Sequence, residues 1–328
     1  MLEVLEPGVL TSIQDAGRPD WTHLGVPVGG ACDAWSLAVA NLLVGEDAGA
    51  AAVEMTLVGA TFAVRAPITV GLAGADLGGI VQESGRSLPP GRTHRLEEGS
   101  TISFLGDTDP AAPSGARAYL ALPGGIDVPP VLGSASTALG AGFGGIDGRR
   151  LRAGDVLRAA LAGGLASDAV WPAFADDPLA AAGTDPLRLL AGPAAGLEAI
   201  IATEWTVGAA SDRVGLRLEG PPLPATASGE LLSRGVVRGA IQLPPGGAPI
   251  VLLAEHQTTG GYPIAAVVIT ADHPRLGQLR PGASVRFTVT TIDDARLALA
   301  RQREALARGA ATVRAGAAWD ELWQSAGG

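Results

Sequence analysis

The sequence predicts a mainly β protein with few helices, on three observations. Glycine (47) and proline (24) are abundant in a chain of 328 residues that is still 47% hydrophobic, so these residues punctuate short strands and do not mark disorder. Three segments repeat a Leu, two residues, a Gly and then an apolar strand: LEEGSTISF (96–104), LRAGDVL (151–157) and LRPGASVRF (279–287). Each reads as a turn feeding the closing strand of a small barrel. Only two segments carry a clear helical pattern.

The first helix, DAWSLAVANLLVG (33–45), has Asp33 as N-cap, Trp35, Val39, Leu42 and Leu43 on one face, and Gly45 as its stop. From 162 to 186 the chain loses periodicity and gathers Ala, Gly, Asp and Pro, as an interdomain connection does. The expected division is a domain over 1–165, a linker over 166–186, a second domain over 187–290, and a C-terminal helix and tail over 291–328. The second helix, DDARLALARQREALARG (293–309), has Asp in its first turn, Arg308 in its last and Gly309 as its stop. Ala295, Leu299 and Leu306 give it a narrow apolar stripe.

Composition excludes several functions. A net charge of −10 repels nucleic-acid backbones and anionic membrane surfaces. No stretch approaches the ~20 apolar residues that span a bilayer, and the opening MLEVLEPGVLTSIQD lacks a basic segment with an apolar core, so the expected location is cytoplasmic. All 23 basic residues are Arg. The absence of Lys rules out Schiff-base chemistry, a P-loop lysine and a biotinylated lysine in this chain. Cys32, the single cysteine, reads as a small buried residue, and His256 has no partner at metal-ligand spacing, so no metal site is expected.

Four stretches concentrate reactive groups. SIQDAGRPDWTHLGVPVGGACD (12–33) gathers Gln14, Asp15, Arg18, His23 and Asp33 in a loop of rigid corners. Either Asp15 pairs with Arg18 across a turn and His23 lies on the surface, or the loop lines a site; Asp33 is most simply a helix cap. In YLALPGGIDVPPVLGSAST (119–137), Gly124 and Gly125 offer backbone N–H groups to an anion, followed by Ser134, Ser136 and Thr137; a plain turn accounts for the same glycines. SDRVGLRLEG (211–220) spaces Arg213 and Arg217 so that a strand would present both from one face, to grip a carboxylate or phosphate or to lie in solvent.

The fourth, GAIQLPPGGAPIVLLAEHQTTGGYP (239–263), sets a polar block between two buried strands, PIVLLA and IAAVVIT, where a hairpin needs only a few residues. Gln242 and Gln257 each carry a donor beside an acceptor, an edge complementary to a lactam, a urea or the ureido ring of biotin. Glu255 is a candidate general base, and Gly260 and Gly261 would let backbone donors approach an oxyanion. An irregular loop is the simpler alternative for Thr258 to Pro263.

These motifs, QDAGRP…HLGVPVGGACD, ANLLVG, PGGIDVPPVLGSAST, SDRVGLRLEG, GAIQLPPGGAPIVLLAEHQTTGGYP and RLGQLRPGASVRF, resemble in register the biotin-dependent carboxyltransferase family, also called allophanate hydrolase subunit 2, over residues 1 to about 288. Within it the sequence looks most like the C subunits of 5-oxoprolinase, a group that includes the KipA regulators. The resemblance implies two cyclophilin-like β-barrel domains, partner A and B subunits, and ATP consumed in the complex to open 5-oxoproline to glutamate. It also implies two alternatives: carboxyl transfer from biotin held on a partner chain, and a non-catalytic partner of a kinase-inhibitor-like B subunit. The candidate catalytic residues are Gln257, Glu255, Gln242 and Asp15. Candidate substrate or nucleotide contacts are Arg18, His23, Gly124, Gly125, Ser134, Arg213, Arg217, Thr258, Gly260, Gly261 and Tyr262. The family motif usually has Arg where this chain has His256, and Arg234 and Arg238 stand where it has Glu and Pro.

Overall fold

A computed structural model describes residues 1–106, 115–160, 168–173, 177–179, 185–223, 232–246 and 248–325. The chain forms two compact units: the described residues of Met1–Gly17, Asp33–Phe174 and Glu304–Gly328, and those of Arg18–Cys32 and Ala175–Arg303. Much of the expected linker 166–186 lies outside the described residues.

The first unit contains two open sheets. One has six strands in the order Val156–Leu157, Leu2–Glu6, Thr61–Val64, Thr101–Phe104, Gly79–Val81, Arg86–Ser87. The other has five, Leu10–Gln14, Ala52–Thr56, Arg117–Ala121, Ile68–Gly74 and Arg92–Leu96. Leu2, Val4, Ile13, Val53, Phe62 and Leu120 belong to the shared apolar core. The helix Ala34–Leu43 forms as its sequence predicts: Asp33 Oδ1 accepts from Ser36 N–H at 2.9 Å, and nearly every residue is buried. It approaches so closely that a Cβ on Gly71 would meet the carbonyl of Ala40 at 2.2 Å.

The second unit holds an eight-stranded sheet in the order Ser284–Val285, Trp205–Val207, Gly215–Glu219, Ile250–Leu252, Ala240–Gln242, Ile264–Val268, Leu187–Ala191, Phe287–Val289. Its two terminal strands are separated in the chain by Arg286 alone, so the sheet curls nearly closed. Leu189, Trp205, Leu218, Ile241, Val251 and Phe287 fill its core. A two-stranded ribbon pairs Arg234–Gly235 with Thr259–Gly260.

Two expectations are corrected. The described residues form a mixed α/β fold with one barrel-like sheet, not two: their six-, five- and two-stranded sheets are open. Among the described residues the terminal strands of the six-stranded sheet, Val156–Leu157 and Arg86–Ser87, do not pair. The second predicted helix runs Ile292–Ser325, through Gly309. Gly309 is no stop; it makes room for an aromatic ring, since a Cβ there would lie 2.2 Å from Trp171 Cζ2. Two short helices, Leu197–Ala202 and His273–Gln278, were not expected. Among the described residues no helix is long and apolar enough to cross a membrane.

The Leu-x-x-Gly repeat is a recurring structure. Gly99, Gly154 and Gly282 all adopt positive φ (84°, 89°, 84°), the third position of a four-residue turn. Each donates its N–H to the carbonyl of a valine on the neighbouring strand, Val64 (2.9 Å), Val4 (2.8 Å) or Val207 (2.7 Å). That valine returns a hydrogen bond to the residue after the glycine: Ser100, Asp155 or Ala283. The same device thus starts strands in open and nearly closed sheets alike.

Candidate functional site

The polar block after Ala254 proves not to be a hairpin loop. Ile250–Leu252 and Ile264–Val268 are not neighbours; Ala240–Gln242 lies between them and pairs with both. Residues 253–263 must therefore cross over that middle strand, which accounts for their length. The crossover brings Gln257 to Gln242, and Gln257 Nε2 donates to Gln242 Oε1 at 3.3 Å.

This contact uses one half of each amide. Gln242 is 2% exposed and its Nε2 has no hydrogen-bond partner, while Gln257 is exposed. A buried amide donor left unpaired costs about 1–3 kcal/mol. Gly260 keeps the approach clear: a Cβ there would stand 2.7 Å from Gln242 Nε2 and 3.4 Å from Gln257 Nε2. The uncommitted Nε2 of Gln242 and Oε1 of Gln257 together present one donor and one acceptor.

Around this pair the other predicted residues of the second unit have fixed positions. Glu255 binds Arg213, whose Nη2 also donates to the carbonyl of Gly30 at 2.7 Å and whose Nη1 lies 3.4 Å from Cys32 Sγ. Arg213 and Arg217 do not share a face: the strand begins at Gly215, after Arg213, leaving Arg213 buried and Arg217 exposed with its Nε on the carbonyl of Ala210. Arg18 is buried, whereas His23 is exposed on the short helix Pro19–Leu24. Thr258 accepts from Val236 N–H at 3.0 Å, and Gly261 and Tyr262 are exposed.

His256 lies within the field of Arg238. Burial lowers its pKa, and Arg238 lowers it further against a hydrogen bond from Nδ1 to the carbonyl of Gln257 (2.6 Å). His273 is pushed down to about 3, first by burial and then by Arg238. Arg238 itself donates to the carbonyls of Ala31 (3.1 Å) and Cys32.

The predicted residues of the first unit are engaged within it. The Asp15 carboxylate accepts from Ser134 Oγ (2.6 Å), Ala135 N–H (2.6 Å), Gly17 N–H (2.7 Å) and Ser136 Oγ. Gly124 and Gly125 have positive φ, but the N–H of Gly124 goes to Glu46 Oε1 (2.5 Å) and that of Gly125 to the carbonyl of Leu122 (2.9 Å). The Gly124 amide thus meets a carboxylate of the same chain and the Gly125 amide a backbone carbonyl. The sequence profile of the carboxyltransferase domain, subdomain A and B, matches residues 24–289.

The chain belongs to the carboxyltransferase-domain family. This carboxyltransferase domain is 35% identical over 311 residues to the 5-oxoprolinase C subunit of Escherichia coli, covering 90% of the chain and 93% of that relative. Among solved structures it is similar to TTHA0988, with TM-score 0.77 and 36% identity over 88% of this chain and 55% of that one. It is also similar to K. lactis urea amidolyase, with TM-score 0.82 and 27% identity over 93% of this chain and 20% of that one. It therefore spans about half of the first structure and a fifth of the second.

Sequence reading of this carboxyltransferase domain missed several charged groups that organise it. Glu46 seals the Gly124 amide. Glu54, buried in a strand, accepts from the Tyr119 hydroxyl (2.7 Å) and lies 3.8 Å from Arg117, and Tyr119 receives the N–H of Asp33. The usable signal was a Glu flanked by apolar residues in AAVEMTLV, a charge that burial forces to find partners.

Proposed function

We propose that this chain is the C subunit of a multi-subunit ATP-dependent 5-oxoprolinase, acting with partner A and B subunits on the lactam of 5-oxo-L-proline. The observation that carries this reading is the half-used amide pair: Gln242 keeps a buried donor free beside the gap left by Gly260, and Gln257 keeps an acceptor free. A lactam shows a C=O and an N–H on the same side, the complement of that edge. Relatedness to the C subunit of 5-oxoprolinase supports the choice of lactam.

In this reading Gln242 Nε2 donates to the lactam oxygen and Gln257 Oε1 accepts the lactam N–H. Amide resonance resists hydrolysis, and negative charge grows on the oxygen as the carbonyl is attacked. A donor already in place there contributes roughly 10²–10³ in rate. Glu255, held by Arg213, positions the crossover and does not serve as a base. Arg213, Gly124 and Gly125 do not fit a nucleotide, because Glu255, Glu46 and Leu122 already engage them. ATP activation is thus assigned to no step on these residues.

The decisive assay is ATP-dependent turnover of 5-oxoproline by the co-expressed subunits carrying Gly260→Ala, whose methyl would stand 2.7 Å from Gln242 Nε2. Loss of turnover with normal assembly supports the reading, and wild-type rates refute it. The same amide edge matches the ureido ring of biotin, which a partner would have to carry in the absence of Lys. Capture of a biotinylated carrier, with no lactam turnover, would favour carboxyl transfer.

A further inference from the structure

We propose that the first unit carries a separate site for a phosphate-bearing small molecule, in the cavity beside the strands Arg86–Ser87 and Arg92–Leu96. These are the terminal strands of the six- and five-stranded sheets, joined by residues 88–91. The cavity measures about 580 Å³, and its lining includes Arg86, Arg92, Arg95 and His94 together with Glu97 and Asp168. That volume is in the range of small-molecule sites.

In a chain of net charge −10, three guanidiniums at one cavity are an uncommon concentration. Arg95 is engaged by Glu97, Nε to Oε1 at 3.1 Å. Arg86 spends one nitrogen on the carbonyl of Arg95 (2.8 Å), and Arg92 makes no ion pair among the described residues. Both side chains are exposed and keep donors to offer. His94 is 5% exposed, and its Nε2–H donates to the carbonyl of Pro89 at 2.8 Å. Its Nδ1 is therefore an acceptor in the neutral ring and a donor once protonated.

The charges facing His94 are Arg86 from the adjoining strand, Arg92 from its own strand and Asp168 from the segment alongside. Burial first, and then the two arginines, lower its pKa, while the Pro89 contact and Asp168 oppose them. A bound dianion adds negative charge to that balance and favours the imidazolium, so binding takes up a proton. A phosphate group has three oxygens for two guanidinium forks and an imidazolium, whereas a single carboxylate satisfies one fork.

The test is calorimetric titration of the full chain with inorganic pyrophosphate, ATP and glutamate, at about pH 6 and pH 8. Pyrophosphate should bind, and Arg92→Gln, an exposed substitution, should weaken it about tenfold. Affinity should rise toward the lower pH more in the wild type than in His94→Gln, a difference that removes the ligand's own titration. ATP binding more tightly than pyrophosphate would identify a nucleotide as the ligand; equal affinities would identify the phosphate group alone. No binding of either phosphate compound, unchanged affinity in Arg92→Gln, or glutamate binding as tightly as pyrophosphate would overturn the assignment. Should His94→Gln fail to fold, Arg92→Gln decides the matter. None of these outcomes bears on the lactam reading, which rests on the other unit.

Discussion

Arg213 Nε lies 2.8 Å from Glu255 Oε1, with 3% and 7% of the two side chains exposed. Two charges so placed stabilise each other only while both are present. Removing either by Arg213→Ala or Glu255→Ala should cost about 3–5 kcal/mol, because it strands the other charge in the interior. The double variant Arg213→Ala with Glu255→Ala should cost clearly less than the sum of the single losses. Urea denaturation of the three proteins checks this, and strict additivity would show that the pair is not coupled.

Gln242 should show opposite effects on stability and activity. Gln242→Met removes a buried donor that has no partner, so stability should hold or rise by about 1 kcal/mol, while lactam turnover by the assembled subunits should fall about 100-fold or more. A variant with intact turnover would remove Gln242 from the chemistry.

His273 should make the protein acid-sensitive. Its folded pKa of about 3 lies below the ordinary 6.5, so above pH 6.5 both folded and unfolded states hold a neutral ring. As pH falls from 6.5 toward 3, the unfolded chain takes the proton first and stability is lost, at up to about 1.4 kcal/mol per pH unit from this group. His256 and His94 shift in the same direction and add to the slope. Denaturation midpoints measured across this range should fall less steeply in His273→Gln, and parallel profiles would exclude His273 as the cause.

Gly309 offers a steric test. In a helix interior Ala is favoured over Gly by ~1 kcal/mol, yet here a methyl would collide with Trp171, whose ring packs edge-on to Trp35 at 6.4 Å and 89°. Gly309→Ala should therefore cost about 1–3 kcal/mol, and Trp171→Leu in the same chain should relieve the clash. Thermal melts of the single and double variants will decide; a stabilised Gly309→Ala would disprove the contact.

What could be read in the sequence was local. Asp33 announces its helix because capping depends on residues three apart, and Leu-x-x-Gly announces its turn because a positive φ favours glycine. Whatever depended on partners distant in the chain stayed hidden. Gly309 has the composition of a helix stop, and only Trp171 shows otherwise. Gln242 and Gln257 were readable as amides of matching chemistry, but their contact comes from the crossover of Ala240–Gln242, an order of strands that no periodicity encodes. The spacing of Arg213 and Arg217 gives one face only where a single strand includes both, and the start of the strand at Gly215 separates them. Leu197–Ala202 is too short to show a period, and His273–Gln278 carries Pro274 and Gly277, so neither announced itself.

The meeting of the eight-stranded sheet's ends at Arg286 also bears on how this molecule associates. An unpaired terminal strand is a template that any extended peptide can join. Here the two terminal strands follow one another in the chain across Arg286, and in the first unit the border strand Arg92–Leu96 is bridged at Arg92 by Val170 and gives the N–H of Thr93 to the carbonyl of Ala169. At Arg92 and Thr93 that template is already taken by the chain's own backbone, so a companion docking on this part of the rim must be recognised through side chains.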